Sequence, residues 1–378
     1  MSNRKVIDKV KLYEICDIKS GGTPSRGKRE YWSNGEIPWV KIGDFNGKYI
    51  DTVEETITYE GLKNSSAKMT EKGSILFTIF ATIGEVAILK FDVTTNQAIA
   101  GITVTDSRVE KEYLYYYLKS IKTNINNKGR GVAQNNINLS ILKNLEVPIV
   151  SLKYQKNIVN ILNRIDYIIE LRIRQLNKIN ELTKSLFIEM FGDIATEHYK
   201  YKTCKLGDVA DVGSSHRVFT TEFVDEGIPF YRGTEIGVLA KGQKPSDSYF
   251  ISEEHYKRLA SDNTKPKVGD LLLPSICDKG QVWMVNTEKP FYYKDGRVLC
   301  ISPNRELYDS IYLQYFMKIK TKEEYPKIGS GSTFAEFKIF LLKDFDILTP
   351  PKNIQEVFSK FVEQIDKSKY SSFSHLSA

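Results

Sequence analysis

The longest regular pattern of apolar positions in this sequence lies between residues 158 and 190. Apolar residues recur there at steps of three and four, and neither proline nor glycine occurs from residue 154 to residue 190. Such steps place the apolar side chains on one face of an α-helix. A helix of that many residues would be roughly 55 Å long, which exceeds the width of a small domain. We therefore expect it to act as a spacer or to pack against another helix.

A second stretch with the same pattern begins near residue 353 and passes after residue 369 into a serine-rich tail. We expect this second helix to be about half as long as the first. The shared apolar face predicts a docking surface for a partner or the interface of an intramolecular helix pair, and a helix this long has room for both. The residues of that face are Ile158, Ile161, Ile165, Ile169, Ile173, Leu176, Ile179, Leu182, Leu186, Phe358, Phe361 and Ile365.

The chain is a repeat of itself. Residues 129–166 align without a gap with residues 329–366, at a separation of 329 − 129 = 200, and Gln155 then matches Gln355. Upstream, residues 72–89 match residues 268–285, which pairs Gly73 with Gly269 and Gly84 with Gly280. A period this long indicates a duplicated domain, because solenoid units are much shorter. The predicted organisation is a domain at 1–152, a spacer helix at 153–192, a second domain at 193–352, a C-terminal helix at 353–370 and a tail at 371–378.

Each copy mixes strand and helix signals. Residues 12–18 and 206–212 alternate in polarity and run into turn-rich segments, which predicts a strand followed by an exposed loop. At the centre of each copy, two apolar runs flank a bend that contains glycine: residues 75–79 with 86–89, and 271–273 with 282–285. This pattern predicts a curved hairpin, with Pro274 at an edge or a bulge. The fold class is therefore α/β.

Composition narrows the function only a little. The 378 residues carry a formal net charge of +7, which suits a polyanionic partner but also many other soluble proteins. The four cysteines form no CxxC and do not cluster with the histidines, so we expect no zinc site. We find no signal segment and no apolar run near eighteen residues, and we expect a cytoplasmic protein without a membrane partner.

The opening KLYEICDIKSGGTPSRGKREYWSNGEIPWVKIGDF, the hairpin GSILFTIFATIGEVAI and the closing segment VPIVSLKYQKNIVNIL occur in that order and in duplicated form. Together they resemble the specificity subunits of type I restriction-modification systems over nearly the whole chain. The resemblance implies two globular α/β target-recognition domains in tandem, separated by a long helix, with a shorter helix at the C-terminus. That family usually has a second long helix, so the short C-terminal helix is a departure.

The resemblance also implies a function and partners. Each domain reads one half of a split, asymmetric target in double-stranded DNA, and the helices dock two adenine-methylating (M) subunits. Translocating restriction (R) subunits complete an ATP-dependent endonuclease. The chain itself is expected to have no catalytic residues, metal or cofactor, with S-adenosylmethionine, ATP and magnesium on the partner subunits. We find no motif for holding a flipped adenine and no nuclease motif, in agreement with this expectation.

Two alternatives stay open at the level of sequence. One is the recognition subunit of a related system that cuts outside its bipartite target. The other is a helical interaction protein with no role on DNA, for which the positive charge would be incidental. Salt-dependent DNA binding by the assembled complex separates the second alternative from the others.

Candidate DNA contacts lie in the turn-rich segments. The loop after the first alternating stretch offers polar and basic side chains to phosphates, and the corresponding loop of the second copy offers two more. An ordinary solvated turn is the competing interpretation. The hairpin residues fit base contact or turn formation equally well, and the residues before the helices fit phosphate approach or a helix-entry turn. The predicted set is Thr23, Ser25, Arg26, Lys28, Arg29, Lys41, Thr78, Thr82, Arg130, His216, Arg217, Arg232, Ser275, Asp278, Lys279, Ser330 and Ser332.

Overall fold

The structure is a computed structural model, and it describes residues 8–80, 82–128, 137–245, 249–261, 264–328 and 335–374. The chain divides into two compact units, Met1–Arg172 and Ile173–Ala378, which we call the first and the second unit. Each unit mixes strands and helices, as the sequence predicts.

The strands alternate with short helices in both units. In the first unit they are β1 (Asp8–Lys11), β2 (Cys16–Ser20), β3 (Ile37–Val40), β4 (Tyr49–Ile50), β5 (Glu55–Ile57), β6 (Ile75–Thr78), β7 (Val86–Leu89), β8 (Thr94–Thr95), β9 (Ile99–Val104) and β10 (Glu146–Ile149). In the second unit they are β11 (Gly192–Asp193), β12 (His198–Tyr199), β13 (Thr203–Lys205), β14 (Ala210–Gly213), β15 (Ile228–Tyr231), β16 (Tyr249–Ile251), β17 (Leu271–Pro274), β18 (Trp283–Met284), β19 (Tyr292–Tyr293), β20 (Val298–Pro303) and β21 (Asp346–Leu348).

The helices follow the same repeated order. They are α1 (Leu12–Ile15), α2 (Tyr59–Lys63), α3 (Lys111–Lys128), α4 (Leu139–Lys143), α5 (Leu152–Phe191), α6 (Leu206–Val209), α7 (Gly233–Leu239), α8 (Glu253–Leu259), α9 (Ser310–Ile328), α10 (Ile339–Lys343) and α11 (Lys352–Ser374). Short 3₁₀ turns lie at Arg29–Tyr31, Ile42–Asp44 and Thr220–Glu222.

The sheets of the two units have matching strand orders, apart from the additional edge strand β4 in the first. The larger sheet runs β2-β9-β6-β7-β4 in the first unit and β14-β20-β17-β18 in the second. A smaller sheet runs β5-β3-β8 in the first and β16-β15-β19 in the second, and its last pair is parallel in both cases. A two-stranded pair, β1-β10 or β13-β21, precedes the helix that closes each unit. The duplication predicted from the sequence is therefore a duplication of topology.

The predicted hairpins are confirmed. Strand β6 pairs antiparallel with β7, and β17 pairs antiparallel with β18. Pro274 ends β17, beyond the residues that pair with β18, so its missing N–H interrupts no bond to that neighbour. Gly84 and Gly280, which the repeat aligns, both have positive φ, at 84° and 68°. Their shared left-handed conformation explains why the same residue stands at both bends.

The aligned glutamines make equivalent hydrogen bonds in both units. Gln155 is fully buried, accepts from the Glu110 backbone N–H at 2.8 Å, and donates to two backbone carbonyls, those of Arg108 and Val150. Gln355 accepts from the Asp309 N–H at 2.8 Å and donates to the carbonyls of Leu307 and Pro350. Each glutamine ties the start of its helix to the loop before the preceding long helix.

One predicted strand is partly wrong. Residues 12–15 form the helical turn α1, and the strand begins only at Cys16; in the second unit α6 likewise precedes β14. Leu12 and Ile15 are both completely buried. A spacing of three places both side chains on the inner face of one helical turn, and this burial prevails over the alternating pattern.

The long helix and the C-terminal helix are present. Helix α5 has 40 residues, beginning in the first unit and ending in the second, and α11 has 23 residues. Helix α11 continues to Ser374, although the sequence predicts a tail from residue 371. Serine costs only a few tenths of a kcal/mol relative to alanine in a helix, so a serine-rich segment does not by itself end one.

Candidate nucleic-acid interface

The first unit gathers several loops at one edge. Parallel strands β3 and β8 end side by side at Val40 and Thr95, so the residues that follow them lie together. The loop after β2 joins them there, because the Gly22 N–H donates to the Thr95 carbonyl at 2.8 Å. We call this edge, formed by residues 21–29, 41–44 and 96–98 with the adjoining bend at 79–80 and 82–84, the first loop edge.

Glycine is required where that loop crosses the strand ends. A Cβ on Gly21 would lie 2.1 Å from the Thr95 hydroxyl oxygen, and one on Gly22 would lie 2.3 Å from the Ser66 hydroxyl oxygen. The Trp39 indole N–H donates to the Gly22 carbonyl at 3.0 Å. The loop is thereby fixed, and the Thr23 hydroxyl donates to the side-chain oxygen of Gln97, a residue that sequence reasoning missed.

Arg26 and Lys41 meet at a shared carboxylate on the first loop edge. Glu55 accepts from Arg26 at 2.5 Å and from Lys41 at 3.2 Å, and Lys41 also pairs with Glu54 at 2.6 Å. The Arg26 guanidinium lies 3.6 Å from the ring centroid of Trp32. The hydrogen bond from Arg26 lowers the pKa of Glu55, and the one to Glu54 raises the pKa of Lys41. Within this network two basic side chains face two carboxyl side chains.

The other predicted residues of the first unit differ in exposure. Ser25, Arg29 and Thr82 are exposed, and Lys28 donates to the Tyr31 hydroxyl at 2.9 Å. Thr78 is completely buried, and its hydroxyl accepts from the Glu85 N–H and donates to the Thr82 carbonyl. Its role is to close the bend, so we remove Thr78 from the candidate contacts. Arg130 lies outside the described residues.

The second unit repeats the arrangement with other side chains. Parallel strands β15 and β19 end side by side at Tyr231 and Tyr293. The loop after β14 is again tied to them, because the hydroxyl of Ser214 donates to the Val298 carbonyl at 2.7 Å and that of Ser215 to the Tyr293 carbonyl at 2.5 Å. The second loop edge comprises residues 213–217, 232–235 and 294–297 with the bend at 275–281. It is the structural counterpart of the first.

Arg232 stands where the first unit has Lys41. Its backbone N–H and its guanidinium both donate to Glu235, and its guanidinium lies 4.3 Å from the Tyr249 ring centroid. Burial alone would raise the pKa of Glu235, but the bonds from Arg232 leave it lowered. The same cap occurs at Lys41, whose N–H donates to Asp44 at 2.8 Å. The cap fixes the backbone at both strand ends.

The other predicted DNA-contact residues of the second unit also differ in exposure. His216 and Arg217 are exposed on the loop, and Asp278 and Lys279 are exposed on the bend. Ser275 is 1% exposed and bonds through its backbone to Arg297 and Phe337, so we remove it from the candidate contacts. Both Ser330 and Ser332 lie outside the described residues.

Sequence reasoning missed a groove of about 300 Å³ at the second loop edge. Its charged lining comprises Arg217, Lys294, Asp295, Arg297, Glu336 and Lys338. The segment FYYKDGR, which places two basic residues around an Asp-Gly turn after an apolar strand, is the signal that could have identified it. At the corresponding strand end of the first unit the sequence is TTNQA, without a charge.

The predicted partner face lies mainly on α5. Among its residues, the exposed ones are Ile161, Ile165, Ile169, Ile173 and Leu182. Ile158 and Leu186 pack against the cores of the first and second unit respectively, and Leu176, Ile179, Phe361 and Ile365 are half-buried.

Phe358 does not belong to the partner face. It is completely buried against Phe187, Phe191 and Tyr315 in the second unit. The helical spacing predicted Phe358 as a docking residue, but Phe358 is a core residue of the second unit. No helix within the described ranges is long and apolar enough to cross a membrane.

Comparison with known proteins agrees with the repeated architecture. A family profile described as "Type I restriction modification DNA specificity domain" matches residues 5–181 and again residues 199–372. The MjaIX specificity subunit of Methanocaldococcus jannaschii is 29% identical over 95% of this chain and 86% of its own length. The EcoR124I/EcoR124II specificity subunit of Escherichia coli is 30% identical over 41% of this chain and 40% of its own.

Two solved structures share the fold. The S subunit of a type I restriction-modification system from M. genitalium has a TM-score of 0.54 at 18% identity, covering 100% of this chain and 94% of that one. A chain from a study of type I complex assembly and conformational transition has a TM-score of 0.55 at 18% identity, covering 98% and 93%. With both copies of the family domain matched in sequence, the chain belongs to the type I restriction-modification specificity family and is a specificity subunit with two target-recognition domains.

Proposed function

We propose that each unit reads one half of a split, asymmetric sequence in double-stranded DNA. The observation that carries this proposal is the pair of loop edges: the same backbone arrangement occurs twice, and different side chains stand on it. Two copies of one scaffold with unlike exposed residues are suited to two unlike half-sites. Phosphate contacts would then supply most of the affinity, and contacts to base edges would supply the sequence preference.

The test exchanges one unit at a time in the assembled complex. Residues 11–147 are replaced by the corresponding segment of a relative with a known target, and the methylated sequence is mapped. We expect one half-site to change and the other to persist, because contacts to base edges are local. Replacement of residues 205–347 is the matched control and should change the opposite half. Simultaneous change of both halves, or retention of the parental target, would contradict the proposal.

The exposed face of α5 supports docking of methyltransferase subunits. Ile161, Ile165 and Ile169 are each about half exposed, at 59%, 46% and 51%, whereas a neighbouring face of the same helix packs Val159 into the first unit. Exposed apolar residues in a row are typical of a protein interface. We assign this face to the M subunits. Two M subunits and the R subunits then assemble with this chain into the complete complex.

Charge insertion tests the docking face. Ile165→Glu should prevent co-purification with the M subunit, because the new carboxylate would have to lose its water in an apolar interface. The control is Asn160→Glu, which adds the same charge to an exposed position about 140° around the helix. The assignment is wrong if both variants assemble normally, or if both fail alike.

We assign methyl transfer and DNA cleavage to the partner subunits. S-adenosylmethionine, ATP and magnesium are assigned to the M and R subunits, and we expect a cytoplasmic location. In support, the sequence carries neither adenine-flipping nor nuclease motifs. Purified alone, the chain should transfer no methyl groups to DNA, and it should direct methylation once the M subunit is added. Methyl transfer by the chain alone would refute this assignment.

A further inference from the structure

The groove at the second loop edge has more cations than carboxylates. Its lining contributes Arg217, Lys294, Arg297 and Lys338 against Asp295 and Glu336, which leaves 4 − 2 = 2 positive charges. It is open to solvent and has a volume of about 300 Å³. This excess occurs where two parallel strands end, next to the Arg232 cap.

Two of these cations are already positioned. Glu336, whose side chain is only 16% exposed, uses one carboxylate oxygen for Arg297 and the other for Lys338, the latter at 2.9 Å. Both basic side chains are 55% exposed, so their charged ends stay accessible while a shared carboxylate restrains them. Restraint of this kind reduces the entropic cost of binding a ligand.

The other two cations are Arg217 and Lys294. Within the described part of the chain, no carboxylate forms an ion pair with either of them. The Lys294 backbone N–H donates to the Tyr231 carbonyl at 2.9 Å, which holds this residue at the strand end, and Arg217 lies 5.6 Å from the Phe219 ring centroid. Guanidinium and ammonium groups converging on an open groove match the oxygens of a phosphodiester.

The first loop edge has a different charge balance. Asn96 and Gln97 occupy the strand end that corresponds to Lys294 and Asp295. Elsewhere on that edge, Arg26 and Lys41 are balanced by Glu54 and Glu55, while Lys28 and Arg29 are exposed cations. The corresponding strand ends of the two units thus differ in charge although they share a backbone arrangement.

We propose that the groove lined by Arg217, Lys294, Arg297 and Lys338 binds a backbone phosphate of the DNA. The inference rests on the proposed function, since it presumes that the second loop edge faces DNA. It adds the ligand chemistry of the groove.

The experiment measures the binding of the assembled complex to a target duplex and to a non-target duplex over a range of salt concentrations. The slope of log affinity against log salt should become shallower by about 0.9 for each phosphate that a variant no longer neutralises. Lys294→Gln and Arg217→Gln should each make the slope shallower, by up to this amount, on both duplexes and leave the methylated sequence unaltered. A bond to a phosphate carries no sequence information, so binding to both duplexes should weaken equally.

Lys289→Gln is the matched control. Lys289 is exposed and stands before β19, whereas Lys294 follows it, so the same chemical change falls at opposite ends of one strand. The control should leave the slope unchanged. Inorganic phosphate at constant ionic strength should compete only weakly with the duplex; strong competition would indicate a site for free anions and would overturn the proposal.

Other outcomes also separate the inference from the proposed function. If Lys294→Gln and Arg217→Gln both behave like the control, the groove holds no phosphate, while the half-site exchange still stands. If either variant weakens only the target duplex and alters the methylated sequence, the residue reads a base and the phosphate assignment is wrong. If the unaltered complex does not prefer its target, the proposed function itself fails.

Discussion

Replacing either buried glutamine should destabilise its own unit by about 3 kcal/mol. Gln155→Ala removes three hydrogen bonds and leaves the Glu110 N–H and the carbonyls of Arg108 and Val150 without their partner in a partly buried site. Each such bond contributes roughly 1 kcal/mol net, and an unsatisfied buried group costs as much or more. Gln355→Ala removes the equivalent three bonds in the second unit.

Native-state hydrogen exchange, resolved by peptide, measures the loss of stability in each unit separately. Because 1.4 kcal/mol corresponds to a factor of ten, the slowest amides of β6 and β9 in Gln155→Ala should exchange roughly two orders of magnitude faster. The same applies to β17 and β20 in Gln355→Ala. The controls, Asn46→Ala and Gln243→Ala, remove exposed amide side chains, one from each unit, and should change stability by less than about 0.5 kcal/mol. Equal exchange in variant and control would refute the structural role of the glutamines.

Two further predictions follow from backbone geometry and burial. Gly280→Ala should destabilise the second unit more than Gly84→Ala destabilises the first. Both positions have positive φ, which costs an alanine about 1–2 kcal/mol. In addition, a Cβ at 280 would lie 2.3 Å from the Lys318 backbone oxygen, whereas one at 84 would meet only the Lys122 side chain, at 3.0 Å. Equal destabilisation in the exchange assay would contradict the argument. Burial raises the pKa of Cys16 to about 12 and that of Cys277 to about 11, and it also raises the pKa of Cys300. These three buried thiols therefore form little thiolate at mildly alkaline pH. Only the half-buried Cys204 should react quickly with a thiol reagent. Cys204→Ser should abolish the fast phase, and its persistence would show that another thiol is accessible.

The fold could be predicted from the sequence because its main signals are local or repeated. Helix α5 follows from a sustained spacing of apolar residues, and the hairpins follow from two apolar runs around a glycine. The repeat then supplied what one copy could not, since the alignment of Gln155 with Gln355 and of Gly84 with Gly280 marked positions under the same constraint. The error at residues 12–15 arose because a four-residue turn contains too few positions to distinguish a helical from an alternating pattern.

The site was harder to predict because its geometry depends on contacts between distant residues. Thr78 and Ser275 stand at the bends in sequence, but only the packed structure shows that both are buried and not presented to solvent. Arg26 and Lys41 are basic in the sequence, yet their charge is largely balanced by Glu54 and Glu55, which come from another segment. Conversely, the groove around Lys294 combines residues from three separate segments, and no local motif joins them.

The two units separate the residues that maintain the fold from those that face outwards. The aligned glutamines and glycines are the same in both units because a buried hydrogen-bond network and a left-handed turn admit few alternatives. At the strand ends, only the backbone is held in common: Lys41 and Arg232 each begin a capped turn, while Asn96 and Lys294 follow the parallel partner strands. Substitutions among exposed side chains on a fixed backbone usually change stability by less than about 0.5 kcal/mol. The loop edges can therefore differ in charge and shape without refolding the units, which is the physical condition for one duplicated scaffold to recognise two unlike half-sites.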